Sequence, residues 1–266
     1  MKRKRKRRKL KKNVVIVAML MFLIAILFSS YKIIVRCINL KSNEQIKKII
    51  EETIDPKKVK EKDYEIDFEY LKSTNSDIVA YLQVDNTKVD YVVVKGQNNE
   101  YYLNHNINKE YNVAGWIFMD YRNKLDENDK NIVIYGHNMA DGSMFSSLYD
   151  ALKKEWYENI DSHSILLITE DERITYQIFS IYSIIPEDYY INTNFKTDEE
   201  YQEFLDTIKS RSIYNFNVDL TTTDQVLTLS TCNLSGDKRV VIHAKKNNSI
   251  TEWYYFFYLQ IKITYI

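Results

Sequence analysis

One unbroken apolar run lies near the start of this chain, and two shorter periodicities follow it. Asn13 to Tyr31 (NVVIVAMLMFLIAILFSSY) carry no charge over 19 residues, and a helix of about 20 predominantly apolar residues crosses a bilayer. Residues 32–62 are rich in Lys, Glu and Ile. They are expected to form a helical stalk ending near Asp55-Pro56, because the residue before a proline disfavours the helical region. From Tyr64 the period shortens. DIVAYLQVDNTKVDYVVVKG reads as β-rich runs split by the turn DNT. NIVIY (131–135) is a short apolar run ending at Gly136-His137. SILLITEDERITYQIFSIYSI (164–184) reads as a hairpin turning at Glu170 to Glu172, and VLTLST with RVVIHAK as a second hairpin around CNLSGDK. Helices interrupt the strands. Thr197 and Glu200 form the T-x-x-E of a capping box. Tyr201, Phe204, Leu205 and Ile208 then recur at i, i+3, i+4 and i+7, a core-facing stripe. MFSSLYDALKKEWYEN (144–159) is a weaker helical candidate. Many short strands with few helices predict a mainly β fold, a closed or nearly closed barrel with helical insertions. Strands and helices do not alternate regularly, which disfavours a doubly wound parallel sheet.

Charge changes the picture at the N-terminus. The 266 residues balance 37 basic against 37 acidic side chains. Ten of the basic ones fall in residues 1–12, which leaves 27 against 37 in an acidic remainder. A basic arm of this kind could bind nucleic acid, but the apolar run directly behind it accounts for the charges as a cytoplasmic flank, so no nucleic-acid partner is expected. The strongly apolar part, Val14 to Phe28, is short enough for a signal peptide. No small-x-small cleavage site follows it, so an uncleaved, single-pass anchor is expected, with the N-terminus in the cytoplasm and the rest outside.

That topology bears on the two cysteines. Disulfides are permitted outside the cell, but Cys37 sits just beyond the anchor, and a bridge from it to Cys232 would tether the domain to the membrane. No CxxC or HExxH spacing is present, so no metal site is expected. Cys232 ends a strand in which Leu227 and Leu229 share one face while Val226, Thr228, Ser230 and Cys232 share the other. A thiol on the more polar face, where a loop begins, mildly favours reactivity, and a reactive thiolate needs a base or a cation nearby. His137 also stands at a strand-to-loop junction. His105 lies in a polar loop, His163 reads as surface, and His243 lies about 13 Å along its strand from Arg239. Arg239 opens the strand after the cysteine loop, where a guanidinium could donate to an oxyanion.

TLSTC, then Arg239 opening RVVIHAK, with NIVIYGHNMADGSMFSSL upstream, resembles the class B sortases. TKVDYVVVKGQNNEYYLNHNINKEYNVAGWIFMDYRNK resembles the class B segment before the histidine, and the helix at Thr197 to Arg211 resembles that class's insertion. The resemblance runs from about residue 64 to 246. It implies a closed eight-stranded sortase-type β-barrel with an N-terminal helix and a helical insertion before the cysteine strand. It also implies a cysteine transpeptidase that cleaves a C-terminal sorting signal of secreted proteins of Gram-positive bacteria. The new carboxyl end passes to an amine of the cell wall peptide, in a peptidoglycan precursor or crossbridge. Cys232 would be the nucleophile, His137 the acid and base, and Arg239 the oxyanion and substrate ligand, with Ser230 and Thr231 on the substrate side. No metal or organic cofactor is implied. The expected organisation is a basic cytoplasmic segment (1–12), an anchor (13–31), a stalk (32–62), a catalytic domain (63–246) and a tail (247–266). The six residues between Cys232 and Arg239 are few for class B, and Asn233 stands where some relatives carry an acid. Another Cys-His acyl-transfer hydrolase, such as a cell wall amidase or cysteine protease, and an anchored binding domain with an inert thiol are the alternatives.

Overall fold

The computed structural model describes residues 2–55, 58–59, 61, 64–232 and 238–247. The loop after Cys232 and the tail from residue 248 therefore lie outside the described residues. The chain divides into two compact units, residues 1–48 and 49–266. Helix α1 runs Lys2–Thr53. Within it, Lys12–Lys48 is long and apolar enough to cross a membrane.

The second unit opens with α2 (Phe68–Thr74), capped by the Asp67 carboxylate accepting from Tyr70 N. Eight strands follow: β1 (Ile78–Val84), β2 (Asp90–Val94), β3 (Phe118–Met119), β4 (Asn131–His137), β5 (Ser164–Ile168), β6 (Arg173–Ile184), β7 (Val226–Cys232) and β8 (Arg239–Lys246). They close a barrel in the order β1-β2-β3-β4-β7-β8-β6-β5. Closure removes the exposed edges that an open sheet of these apolar strands would present. Both expected hairpins are present: β5 with β6 and β7 with β8 pair antiparallel. The pairing of β4 with β7 is parallel and joins segments about 95 residues apart.

The segment 144–159 is not one helix. It splits into a 3-10 stretch, Ser146–Leu152, and a short helix α3, Lys154–Glu158. Phe145, Leu148, Ala151 and Trp156 are all buried, so packing outweighs the local helical preference.

The insertion between β6 and β7 carries α4 (Asp198–Ser210). Its Thr197 side chain accepts from Glu200 N, while Glu200 Oε2 accepts from Lys196 N at 2.8 Å, one residue before the cap. Tyr201, Phe204, Leu205 and Ile208 pack with Tyr190 from the preceding 3-10 turn and with Phe179, Tyr182, Val226 and Val241 of the barrel. Each such buried side chain contributes roughly 1.5–3 kcal/mol. The insertion thus covers one face of β4, β7, β8 and β6. Every residue of β4 and all of β7 except Cys232 are buried, as expected for strands covered on both sides.

Candidate active site

The register builds the site. In the parallel pair β4–β7, His137 lies beside Cys232. In the antiparallel pair β7–β8, Ser230 lies beside Val241, and two residues further the same register sets Cys232 opposite Arg239. His137, Cys232 and Arg239 therefore form one row across three adjacent strands. Residues of one row point to the same face, and here it is the face that the insertion covers. The next row inward is Tyr135, Ser230, Val241 and Tyr182, and the one after it is Val133, Thr228 and His243.

Each member of the outer row is held. The His137 ring has Nε2 2.7 Å from Leu103 O and Nδ1 3.3 Å from Cys232 O. Both partners are carbonyl acceptors, so only the doubly protonated ring donates to both at once. Its own carbonyl accepts from Phe145 N at 2.9 Å. Gly136 is required beside it: a Cβ there would stand 2.4 Å from Ile117 Cδ1 and 2.7 Å from Phe145 Cγ.

Cys232 is a free, half-buried thiol. Burial pushes its pKa up to about 11, and the Arg239 charge works against that rise. Burial disfavours the charge on Arg239, but the hydrogen bond to Tyr190 and the neighbouring thiol outweigh it and keep the guanidinium protonated. Arg239 Nη1 donates to Tyr190 Oη at 3.3 Å. The Tyr190 hydroxyl, which accepts from Arg239, also shares a hydrogen bond with Ser230 Oγ, 3.3 Å away.

The other expected residues sit as follows. Ser230 is fully buried against Tyr190. Thr231 is also fully buried, on the opposite face, and its Oγ1 accepts from Val240 N at 2.8 Å. Neither hydroxyl opens onto the site's surface. His105 is half-buried and stacked on Tyr101. His163 is half-buried among Trp156, Tyr157 and Phe216 rather than free on the surface, with Nε2 2.8 Å from Tyr157 O.

His243 is enclosed in a directional chain. Tyr189 Oη donates to Tyr182 Oη, and Tyr182 Oη donates to His243 Nε2 at 2.9 Å. His243 Nδ1 meets Thr228 Oγ1 at 2.8 Å, and Thr228 donates to Asn131 Oδ1 at 2.6 Å. This order requires the neutral Nδ1–H ring, consistent with burial lowering its pKa to about 3.

A cleft of about 660 Å³ opens behind the turn, lined by Arg122, Tyr189, Ile191, Phe195 and Phe204 among others. None of His137, Cys232 and Arg239 lines it, so the row of three, not cavity size, assigns the chemistry. Among the described residues no three His, Cys, Asp or Glu side chains converge as a metal set.

The profile of the family described as "Sortase domain" matches residues 82–247. The chain belongs to the sortase family. Sortase B of Staphylococcus aureus is 38% identical over 182 residues, 67% of this chain and 73% of that protein. The structure of a Staphylococcus aureus sortase B–substrate complex superposes with a TM-score of 0.70 at 33% identity, covering 78% of this chain and 97% of that one. A sortase B complexed with triglycine gives a TM-score of 0.64 at 38% identity over 68% of this chain and 85% of that one. This sortase is thus of class B, a cysteine transpeptidase.

Proposed function

We propose that this sortase cleaves a C-terminal sorting signal after threonine and joins the new carboxyl end to an amine of the cell wall peptide. The observation that carries the proposal is the row His137–Cys232–Arg239 across β4, β7 and β8. In this reading the Cys232 thiolate attacks the threonine carbonyl carbon, and the oxygen takes up the negative charge facing the Arg239 guanidinium. The C–N bond then breaks as His137 passes a proton to the leaving amine, leaving a thioester on Cys232. The incoming amine attacks the thioester, His137 accepts its proton, and the thiolate departs. Ser230 and Thr231, both buried, act on the substrate only by shaping the wall behind the thiol, Ser230 on the Cys232 face and Thr231 on the opposite one.

The proposed organisation is a basic segment (1–12), an anchor (13–31), a stalk (32–62), a catalytic domain (63–246) and a tail (247–266). The apolar stretch in α1 supports a single-pass anchor with the catalytic domain outside. The proposed substrates are secreted proteins bearing the signal, and the acceptor is a precursor or crossbridge amine. The substrate and triglycine complexes of similar enzymes support a peptide and an amine as partners.

The test is a panel of quenched-fluorophore threonine peptides with triglycine as acceptor, read by mass spectrometry. Cleavage and a triglycine adduct are expected, with neither in Cys232→Ala. His137→Ala should be near-inactive and His163→Ala active; equal activities would remove His137 from its role. Protease added to intact cells should reach the catalytic domain, and its protection would reverse the topology.

A further inference from the structure

The 3-10 turn Tyr189–Ile191 touches the catalytic row and is clasped from the far side. Three consecutive carbonyls of this segment accept side-chain donors from the barrel. Asn131 Nδ2 donates to Tyr190 O at 3.2 Å and to Asn192 O at 2.9 Å. Arg122 Nη2 donates to Ile191 O at 2.8 Å. Backbone carbonyls of a short turn usually find water; here two side chains hold them in place.

Arg122 is itself fixed. Its Nε and Nη2 form a fork on Asp120 at 2.8 and 2.7 Å. Asp120 is fully buried and also accepts from Tyr135 Oη at 2.9 Å and Asn99 Nδ2 at 2.8 Å. Burial alone would raise the Asp120 carboxyl, but the bonds from Arg122, Tyr135 and Asn99 outweigh it and hold the carboxylate ionised. Tyr135 is one row inward from His137 on β4, so the carboxylate ties the clasp to the catalytic strand. Inside the clasped turn, Tyr190 is fully buried, and its hydroxyl is the hydrogen-bond acceptor that orients Arg239.

We propose that Arg122 is a positioning residue for Arg239: it locks the Tyr189–Ile191 turn so that the Tyr190 hydroxyl holds the guanidinium where the oxyanion forms. A guanidinium on a flexible stem has many rotamers, and fixing one beforehand strengthens its hydrogen bond to a charge that exists only in the transition state. The effect therefore falls on kcat more than on KM. This rests on the reading of Arg239 as the oxyanion ligand.

The experiment compares Arg122→Gln, Tyr190→Phe and the double variant in the full chain in detergent. All carry Cys37→Ser, so that thiol titration counts Cys232 alone. The probe is the best-cleaved peptide of the threonine panel with triglycine. Each single variant is expected to lower kcat per titrated site about three- to tenfold, the worth of one hydrogen bond, with KM within about twofold. The double variant is expected to fall no further than the worse single one, because both act through the same contact. Arg122→Gln strands a buried carboxylate, so Asp120→Asn/Arg122→Gln is run beside it. A purely structural role would lower the number of titratable sites and leave turnover per site unchanged, which would overturn the proposal. Effects that multiply in the double variant would overturn it as well. Arg239→Ala at wild-type turnover would remove the oxyanion reading and this inference together. Arg239→Ala inactive with Arg122→Gln and Tyr190→Phe unchanged would remove this inference alone.

Discussion

The state of the Cys232 thiol can be worked out and measured directly. Burial lifts its pKa from 9.0 to about 11 while Arg239 pulls it down. At pH 7.5 only roughly one thiol in 3,000 is then ionised. The perturbation is Arg239→Gln. Arg239 favours the thiolate, so its loss must move the pKa further up and never down. The assay is the rate of iodoacetamide alkylation against pH, in the full chain with Cys37→Ser. The rate constant should rise about tenfold per pH unit from 7 to 10 and bend only near 11, because the thiolate alone reacts. In Arg239→Gln the bend should lie higher, and the rate at pH 8 should be below that of the parent. A plateau at or below pH 9, or faster alkylation without Arg239, would be the contrary result. The first would show the thiol to be solvated, the second that Arg239 does not face it.

Two further outcomes follow from the wall behind the site. His243 is neutral when folded, with its pKa lowered from 6.5 to about 3 by burial. Its stabilising contribution is thus complete above pH 6.5 and is lost as pH falls towards 3, about 2 kcal/mol by pH 5. Urea denaturation at pH 7.5 and 5.0 should show that extra loss in the parent and not in His243→Gln; parallel losses would contradict it. Gly136→Ala drives a methyl into Ile117 and Phe145 and should cost about 1–3 kcal/mol of stability. It should also lower turnover per titrated site, because Phe145 N holds the His137 carbonyl; a wild-type melting temperature with wild-type turnover would be the opposite result.

Much of the barrel was legible because its strands are short apolar, β-rich runs and its hairpins announce their turns. The α4 stripe and its cap were legible for the same local reasons. The parallel pairing of β4 with β7 was not: no local pattern says that residue 137 lies beside residue 232, and the motif resemblance had to suggest it. The 144–159 segment misled because its helical spacing was real but weaker than the packing of Phe145, Leu148 and Trp156. Tyr190, Arg122 and Asn131 belonged to no motif of their own. In sequence they are a tyrosine and two polar residues, and their importance comes from partners about 49 to 69 residues away, two backbone carbonyls and the Arg239 guanidinium. One signal could have drawn attention to them: Asp120 and Arg122 at i and i+2 flank Tyr121 in a loop, a spacing that lets one side chain fork onto the other. The resemblance placed Ser230 and Thr231 on the substrate side; strand alternation puts only Ser230 on the Cys232 face, and it cannot say that the insertion lies over that face.

The central claim is a thioester on Cys232 that an amine resolves. The most direct measurement is the intact mass of the full chain mixed rapidly with the best-cleaved peptide, with triglycine withheld and then added. The expected result is an adduct equal to the peptide fragment ending in threonine, mapped to Cys232 and absent in Cys232→Ala. Triglycine should discharge it to a peptide–triglycine product. Cleavage that persists in Cys232→Ala, or an adduct that yields only the free acid in triglycine, would contradict it.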